Sequence, residues 1–165
     1  MFQLKSISKA GISVALEKAE RYRLLNEPWL AESICFDILE VEPQNTKAII
    51  VLLLAMTDQF GTSSLAKVNE ANRLLRHLPD EYQRHYYAGI ISEREGKADL
   101  NKGTSEGDYI AYDCLRNAMD HYENAEAVRP PGNDDAILRW NTCARLIMHH
   151  HLEARNEEYI EPPLE

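Results

Sequence analysis

The side chains with the clearest chemical potential in this sequence are its imidazoles, carboxylates and thiols. His149, His150 and His151 stand in a row, and imidazole is the commonest transition-metal ligand. Consecutive residues on a helix point about 100° apart, so three in sequence do not converge on one ion. Glu81 with His85, and His149 with Glu153, have the i,i+4 spacing of a helix-face pair. Neither is matched by a second set, such as the repeated Glu-x-x-His of di-iron bundles. The sequence carries no Gly-rich phosphate loop, no nucleophile elbow and no His-Glu-x-x-His. Cys35, Cys114 and Cys143 are odd in number and far apart, each among apolar residues at helical spacing. That setting fits small buried hydrophobes better than ligands or nucleophiles. The expectation is a chain with no metal, no cofactor and no catalytic set, and so not an enzyme.

The formal net charge of −9 argues against nucleic acid as a partner, because phosphate binding needs clustered Lys and Arg and no basic run is present. The strongest apolar run, Ala48–Met56, is well short of the roughly 18 residues that a membrane span needs. It reads as a buried helix. Lys5 and Lys9 interrupt the apolar residues of the N-terminal segment, which has no signal-peptide core. Together with the unpaired cysteines, this points to the cytoplasm.

The elements that would position these side chains read as seven helices. The first runs from about Ser8 to Leu25, with Ile12, Ala15, Ala19 and Tyr22 three and four apart. Asn26 suits a left-handed helix end and Pro28 the first turn of a second helix, which continues to Val41 before Pro43. Asn45 is placed to cap a third helix, Thr46 to about Phe60, which is apolar on nearly every face. A fourth spans about Ser64–Leu78. Asp80 starts a fifth that Gly96 is expected to close near Glu95. Polar Lys97–Gly107 reads as a surface loop. A long sixth helix covers about Asp108–Val128, and a seventh starts at Asn133 and ends near Leu152. Residues 1–152 are expected to form one domain, with 153–165 an acidic, proline-bearing and disordered tail.

Pro43, Pro79 and Pro130 each close the second helix of a pair. Their first interval is close to the roughly 34-residue tetratricopeptide period, and their second exceeds it by about 17 residues. Within Ile12–Asn45, Ala19, Tyr22, Ala31, Pro43 and Asn45 fall at the small, aromatic and closing positions of one such repeat. Gly89, Ala118, Tyr122, Ala125 and Pro130 follow the same order in the third pair, with Gly96 in the place of the turn glycine. The first pair departs at Ile38, which fills a small-residue position, and the middle pair matches least: Ala48 fits, but Leu53 fills a glycine position and the fourth helix lacks the alanine pattern. The chain thus resembles the tetratricopeptide-repeat family over about residues 12–150. The resemblance implies an all-α fold of about three antiparallel helix hairpins plus a C-terminal capping helix, wound as a superhelix, with an insertion at 97–113.

What the resemblance implies for function is a protein-interaction module or adaptor that takes a peptide or helix of a partner in a concave groove. The groove-facing positions are Leu16, Glu20 and Arg23 on the first helix and Ile50 and Leu54 on the third, with Thr57 and Asp58 nearer its end. The fifth helix supplies Gln83, Tyr86, Ile90 and Arg94; the seventh supplies Asp134, Ile137, Asn141 and Arg145. The family's chaperone-tail clamp is absent, because its places hold Leu16, Glu20, Val51, Gln83 and Tyr87. An apolar groove with an arginine rim is expected instead. A homodimer is the alternative, using Trp29 and the apolar third helix, although Trp29 could equally staple the first two helices; Trp140 is expected in the core.

Overall fold

Local chemistry sets the start and stop of most elements. The computed structural model describes residues 1–62 and 65–156, and among these the regular structure is entirely helical. After a short 3-10 turn at Lys9–Gly11, α1 spans Ile12–Leu24, α2 Pro28–Val41, α3 Thr46–Thr57 and α4 Leu65–Leu74. A 3-10 turn at Leu75–His77 extends α4; then α5 spans Glu81–Leu100, α6 Ser105–Ala127 and α7 Asp135–His149. Asn45 and Asp80 act as the expected N-caps, their side-chain oxygens accepting from the Ala48 and Gln83 amides at 3.0 and 2.8 Å. Asn26 takes φ 60°, and the Glu27 amide reaches back to the Tyr22 carbonyl at 2.9 Å, closing α1 in a Schellman turn.

The segment 97–107 is not a loop. Helix α5 runs through Gly96 to Leu100, a tight turn with Gly103 at φ 64° follows, and Thr104 caps α6 from Ser105. The physical reason is that Gly96 and Gly107 serve close approach, not chain reversal. A Cβ on Gly96 would lie 3.0 Å from Cys114 Cβ, and one on Gly107 only 2.6 Å from the Asp99 carbonyl oxygen. The extra residues assigned to an insertion at 97–113 therefore lengthen both arms of the α5–α6 hairpin. Two further boundaries move: α3 stops at Thr57, leaving Phe60 buried in the following turn, and α7 ends at His149.

Each helix packs against the next in sequence, and α3 also touches both α1 and α5. Helices α1, α3 and α5 therefore adjoin in that order, and α7 meets α5 through side chains such as Arg139 on Glu93. Apolar residues form two main cores. One joins α1 to α5 around Cys35, Leu52, Leu53 and Ile91; the other joins α5 to α7 around Ile90, Leu115, Tyr122 and Cys143. Leu54 and Tyr87 pack against both cores, so the halves are one structure. Leu152 belongs to the second core: His151 turns left-handed at φ 52°, and the Leu152 amide bonds the Ile147 carbonyl at 3.0 Å. Residues 153–156 follow without regular structure, and the remainder of the expected tail, 157–165, lies outside the described residues.

The tightest packing is at Gly89, where a Cβ would stand 2.4 Å from the ring of buried Tyr122. Helix propensity alone favours alanine here by about 1 kcal/mol. Overpacking a filled core costs about 1–3 kcal/mol, and more where a ring cannot yield. Gly89→Ala is expected to lower the unfolding free energy by roughly 2 kcal/mol in urea titrations; an unchanged or raised midpoint would show that Tyr122 has room to move.

Candidate partner-binding surface

The face formed by α1, α3, α5 and α7 gathers most of the residues expected in a groove. Leu16, Arg23, Ile50, Leu54, Gln83, Tyr86, Arg94, Ile137 and Asn141 are partly exposed, and Glu20 and Arg145 are exposed. Ile90 does not belong to this surface. It is 1% exposed and sits in the second core, because the long α6 covers that side of α5. Thr57 is also buried, its hydroxyl donating to the Leu54 carbonyl at 2.7 Å. The apolar α3 is consumed by the first core, which removes it as a dimer face. Trp29 is 68% exposed and therefore does not staple α1 to α2. Trp140 packs on the second core, and its Nε1 donates to Glu123 at 3.0 Å.

Aromatic rings occupy the N-terminal half of α5. Tyr82 and Tyr86 stack at 5.7 Å between centroids; Tyr86 also meets Tyr87 edge-on at 5.1 Å and Tyr122 at 5.9 Å. The Tyr82 hydroxyl donates to Asn133 Oδ1 at 3.4 Å, fastening α5 to the start of α7. Burial, then the negative charge of Asp135, push the Tyr82 phenol up to about 12. It stays neutral as a donor at physiological pH.

The C-terminal half of the same face is ionic. Asp58, just past α3, lies between Arg23 of α1 and Arg94 of α5. Arg94 NH1 donates to Asp58 Oδ1 at 2.8 Å. Arg23 NH2 reaches that oxygen at 3.5 Å, while its Nε lies 2.7 Å from Oδ2 without directing its N–H at an acceptor. Next to Arg94 in sequence but turned inward, Glu93 is 0% exposed and gathers three partners. Tyr122 donates its hydroxyl to Oε2 at 2.6 Å, Lys97 donates to Oε1, and Arg139 donates to Oε1 at 3.3 Å. One carboxylate thus connects α5, α6 and α7. Burial by itself would raise the Glu93 pKa, but the hydrogen bonds from Lys97 and Tyr122, with the charges of Lys97 and Arg139, bring it below the ordinary carboxylate value.

Glu93, Lys97 and Arg139 were not legible as site residues. The Asp58 pairs carried one usable signal: Arg23, Asp58 and Arg94 are separated by 35 and 36 residues, close to the repeat interval. Ile137, Asn141 and Arg145 form no recorded hydrogen bond or ion pair with the α1, α3 or α5 positions.

The other chemical groups stay apart. His149 ends α7, His150 caps it and His151 is left-handed; the rings of His149 and His150 meet edge-on at 4.9 Å. Among the described residues no group of three or more His, Cys, Asp or Glu side chains is arranged to hold a metal, and no helix is long and apolar enough to cross a membrane. Burial first, and nearby carboxylates second, push the Cys35 and Cys114 thiols up to about 12; burial does the same for Cys143. None is disposed to act as a thiolate. Comparison with protein-family models, curated proteins and solved structures gave no match.

The Glu93 network makes stability pH-dependent in a definite direction. Its folded pKa is below its unfolded one, so its contribution is full above the ordinary glutamate value of about 4.3 and fades as pH falls through the folded value. Glu93→Gln is expected to lower stability at pH 7 by roughly 3 kcal/mol and to flatten the loss of stability as pH falls below about 4. Urea midpoints across that range check both; parallel curves for the two proteins would remove Glu93 as the cause.

Proposed function

We propose that this chain is a protein–protein interaction module of tetratricopeptide-like hairpins, which receives a peptide or helix of a partner on the face of its odd-numbered helices. The observation that carries this reading is the adjacency of α1, α3 and α5, with Leu16, Ile50, Leu54, Gln83 and Tyr86 partly exposed along them. Aligned helices with half-open apolar side chains give a binding partner both area and anchoring points. The placement of Gly89 against Tyr122, and the Pro-ended hairpins, support the repeat-like arrangement. Arg23, Asp58 and Arg94 on this face are paired with one another and the thiols are protonated, which favours binding over catalysis. Free thiols, two of them buried, also suit a reducing compartment such as the cytoplasm.

Ile50 and Asn141 provide the test. Both are partly exposed, and Ile50 is in none of the apolar cores. A photo-crosslinking residue at either position is expected to capture a defined partner that the same residue at Ser33, on the outer side of α2, does not. Ile50→Arg is expected to abolish that capture while leaving the far-ultraviolet circular dichroism and thermal midpoint unchanged. Equal capture from Ser33, or capture that survives Ile50→Arg, would put the binding surface elsewhere.

A further inference from the structure

Taking the odd-helix face as the binding surface, we infer that its cationic end recognises the carboxylates of an acidic, extended segment of another protein. A cleft of about 600 Å³ opens beside the Asp58 pairs, lined by Arg23, Asp58, Arg94, Lys97, Phe60 and Asn101 among others. Its charged lining is three cations and one carboxylate. Counting the residues that hold Lys97 does not change the sign: Glu93 is shared by Lys97 and Arg139, as Asp58 is shared by Arg23 and Arg94. Each carboxylate therefore faces two cations, and each trio retains one positive charge. The C-terminal dipoles of α1, α3 and α5, which all end at this cleft, offset part of this, about half a charge each. The cleft remains positive in a chain whose formal net charge is −9.

The donors are also available. Arg23, Arg94 and Lys97 keep 23%, 28% and 33% of their side chains open to solvent. Arg94 commits only NH1 to Asp58, whereas the Nε of Arg23 is buried beside Asp58 and is not open to a ligand. A guanidinium with unused N–H groups, held in place by a neighbouring carboxylate, is a preorganised receptor for a second carboxylate. Apolar contacts lie on both sides: Phe60, Leu65 and Val68 line the adjoining cleft near α4, and Leu146 lines the one near α7. Both adjoining clefts share Asn101 with the central one, so the three form one track. An extended peptide that alternates acidic and apolar side chains fits such a track. Glu95 and Asp99 line the cleft near α4 and Asp108 the one near α7, with Lys102 paired to Asp99, so the peptide's carboxylates belong in the central cleft and its apolar side chains in the two beside it.

The sign of the charge makes the test sharp, because a chain of net −9 would otherwise favour a basic peptide. The probes are an acetylated, amidated heptapeptide alternating glutamate with leucine and tyrosine, and its lysine analogue. Binding to the full chain is followed by fluorescence anisotropy and by amide chemical-shift mapping. The glutamate peptide is expected to bind, to perturb the amides around Asp58 and Arg94, and to weaken steeply with salt. Arg94→Gln is expected to weaken it about tenfold. Asn101→Lys, which adds a cation at an exposed edge of the cleft, is expected to tighten it severalfold at low salt. Tighter binding of the lysine peptide, or no binding of the glutamate peptide below about 1 mM, would overturn the inference and leave the wider groove standing. Shifts confined to α2, α4 and α6 would overturn both. A more than tenfold gain on deleting 157–165 would assign the cleft to the chain's own acidic segment instead of a partner.

Discussion

The carboxylate of Glu93 is the constraint on which the C-terminal half of this molecule depends. An ionised group with no solvent contact is stable only where its lone pairs are filled and its charge is opposed. Here the three donors come from three elements: Lys97 on its own helix, Tyr122 from α6 and Arg139 from α7. The chain can meet that demand only with α6 and α7 docked on α5. Gly89 belongs to the same requirement, since Tyr122 reaches Glu93 only because the helix surface beneath its ring carries no Cβ. A buried charge is not by itself a source of stability, because an apolar replacement of equal volume is often as good. Its effect is to select one arrangement of three helices over others that would bury similar area.

The N-terminal half is held differently. Its core is apolar, centred on α3, and its ionic contacts lie at the margins: Glu32 accepts from Lys67 at 2.8 Å and from Gln59 at 2.6 Å, tying α2 to α4 and the end of α3. Leu54 and Tyr87 then join the halves through packing alone. Asp58 adds the polar counterpart, connecting α1 with α5 at the end of α3. Packing in the middle and an ion pair at one end fix both the spacing and the tilt of neighbouring odd helices. That is how a surface built from separate helices becomes one rigid face.

The helices were legible in the sequence because their signals are local. Asn26, Pro28, Asn45 and Asp80 act through their own backbone or that of residues within one turn, so no knowledge of the fold is needed to place them. Gly96 and Gly107 misled for the opposite reason. A glycine chosen for chain reversal and one chosen for close helix contact are the same residue, and only the position of Cys114, Ala111 and Asp99 distinguishes them. The site was half legible. Repeat-spaced Arg23 and Arg94 lie on the expected face, but Ile90 shows that periodicity cannot tell which side of a helix a long neighbour will cover. Glu93 was invisible as a hub because its partners stand at unrelated separations, set by the lengthened α5–α6 hairpin.

The charge pattern of the odd-helix face is hard to explain by stability alone. Two guanidiniums converging on one carboxylate repel each other, and partial burial keeps water from screening that repulsion fully. A face optimised only to hold its helices together would pair each cation once, and the chain does not lack acids: Asp and Glu number 27 against 18 Lys and Arg. The imbalance is therefore one of placement, with carboxylates spread over the surface and cations doubled at Asp58 and again at Glu93. Each shared carboxylate orients two cations while cancelling one, which leaves fixed, partly open donors where a diffuse surface charge would leave mobile ones. Such an arrangement lowers the reorganisation needed when a further anion arrives, and in the free protein its cost is borne by the apolar cores on either side.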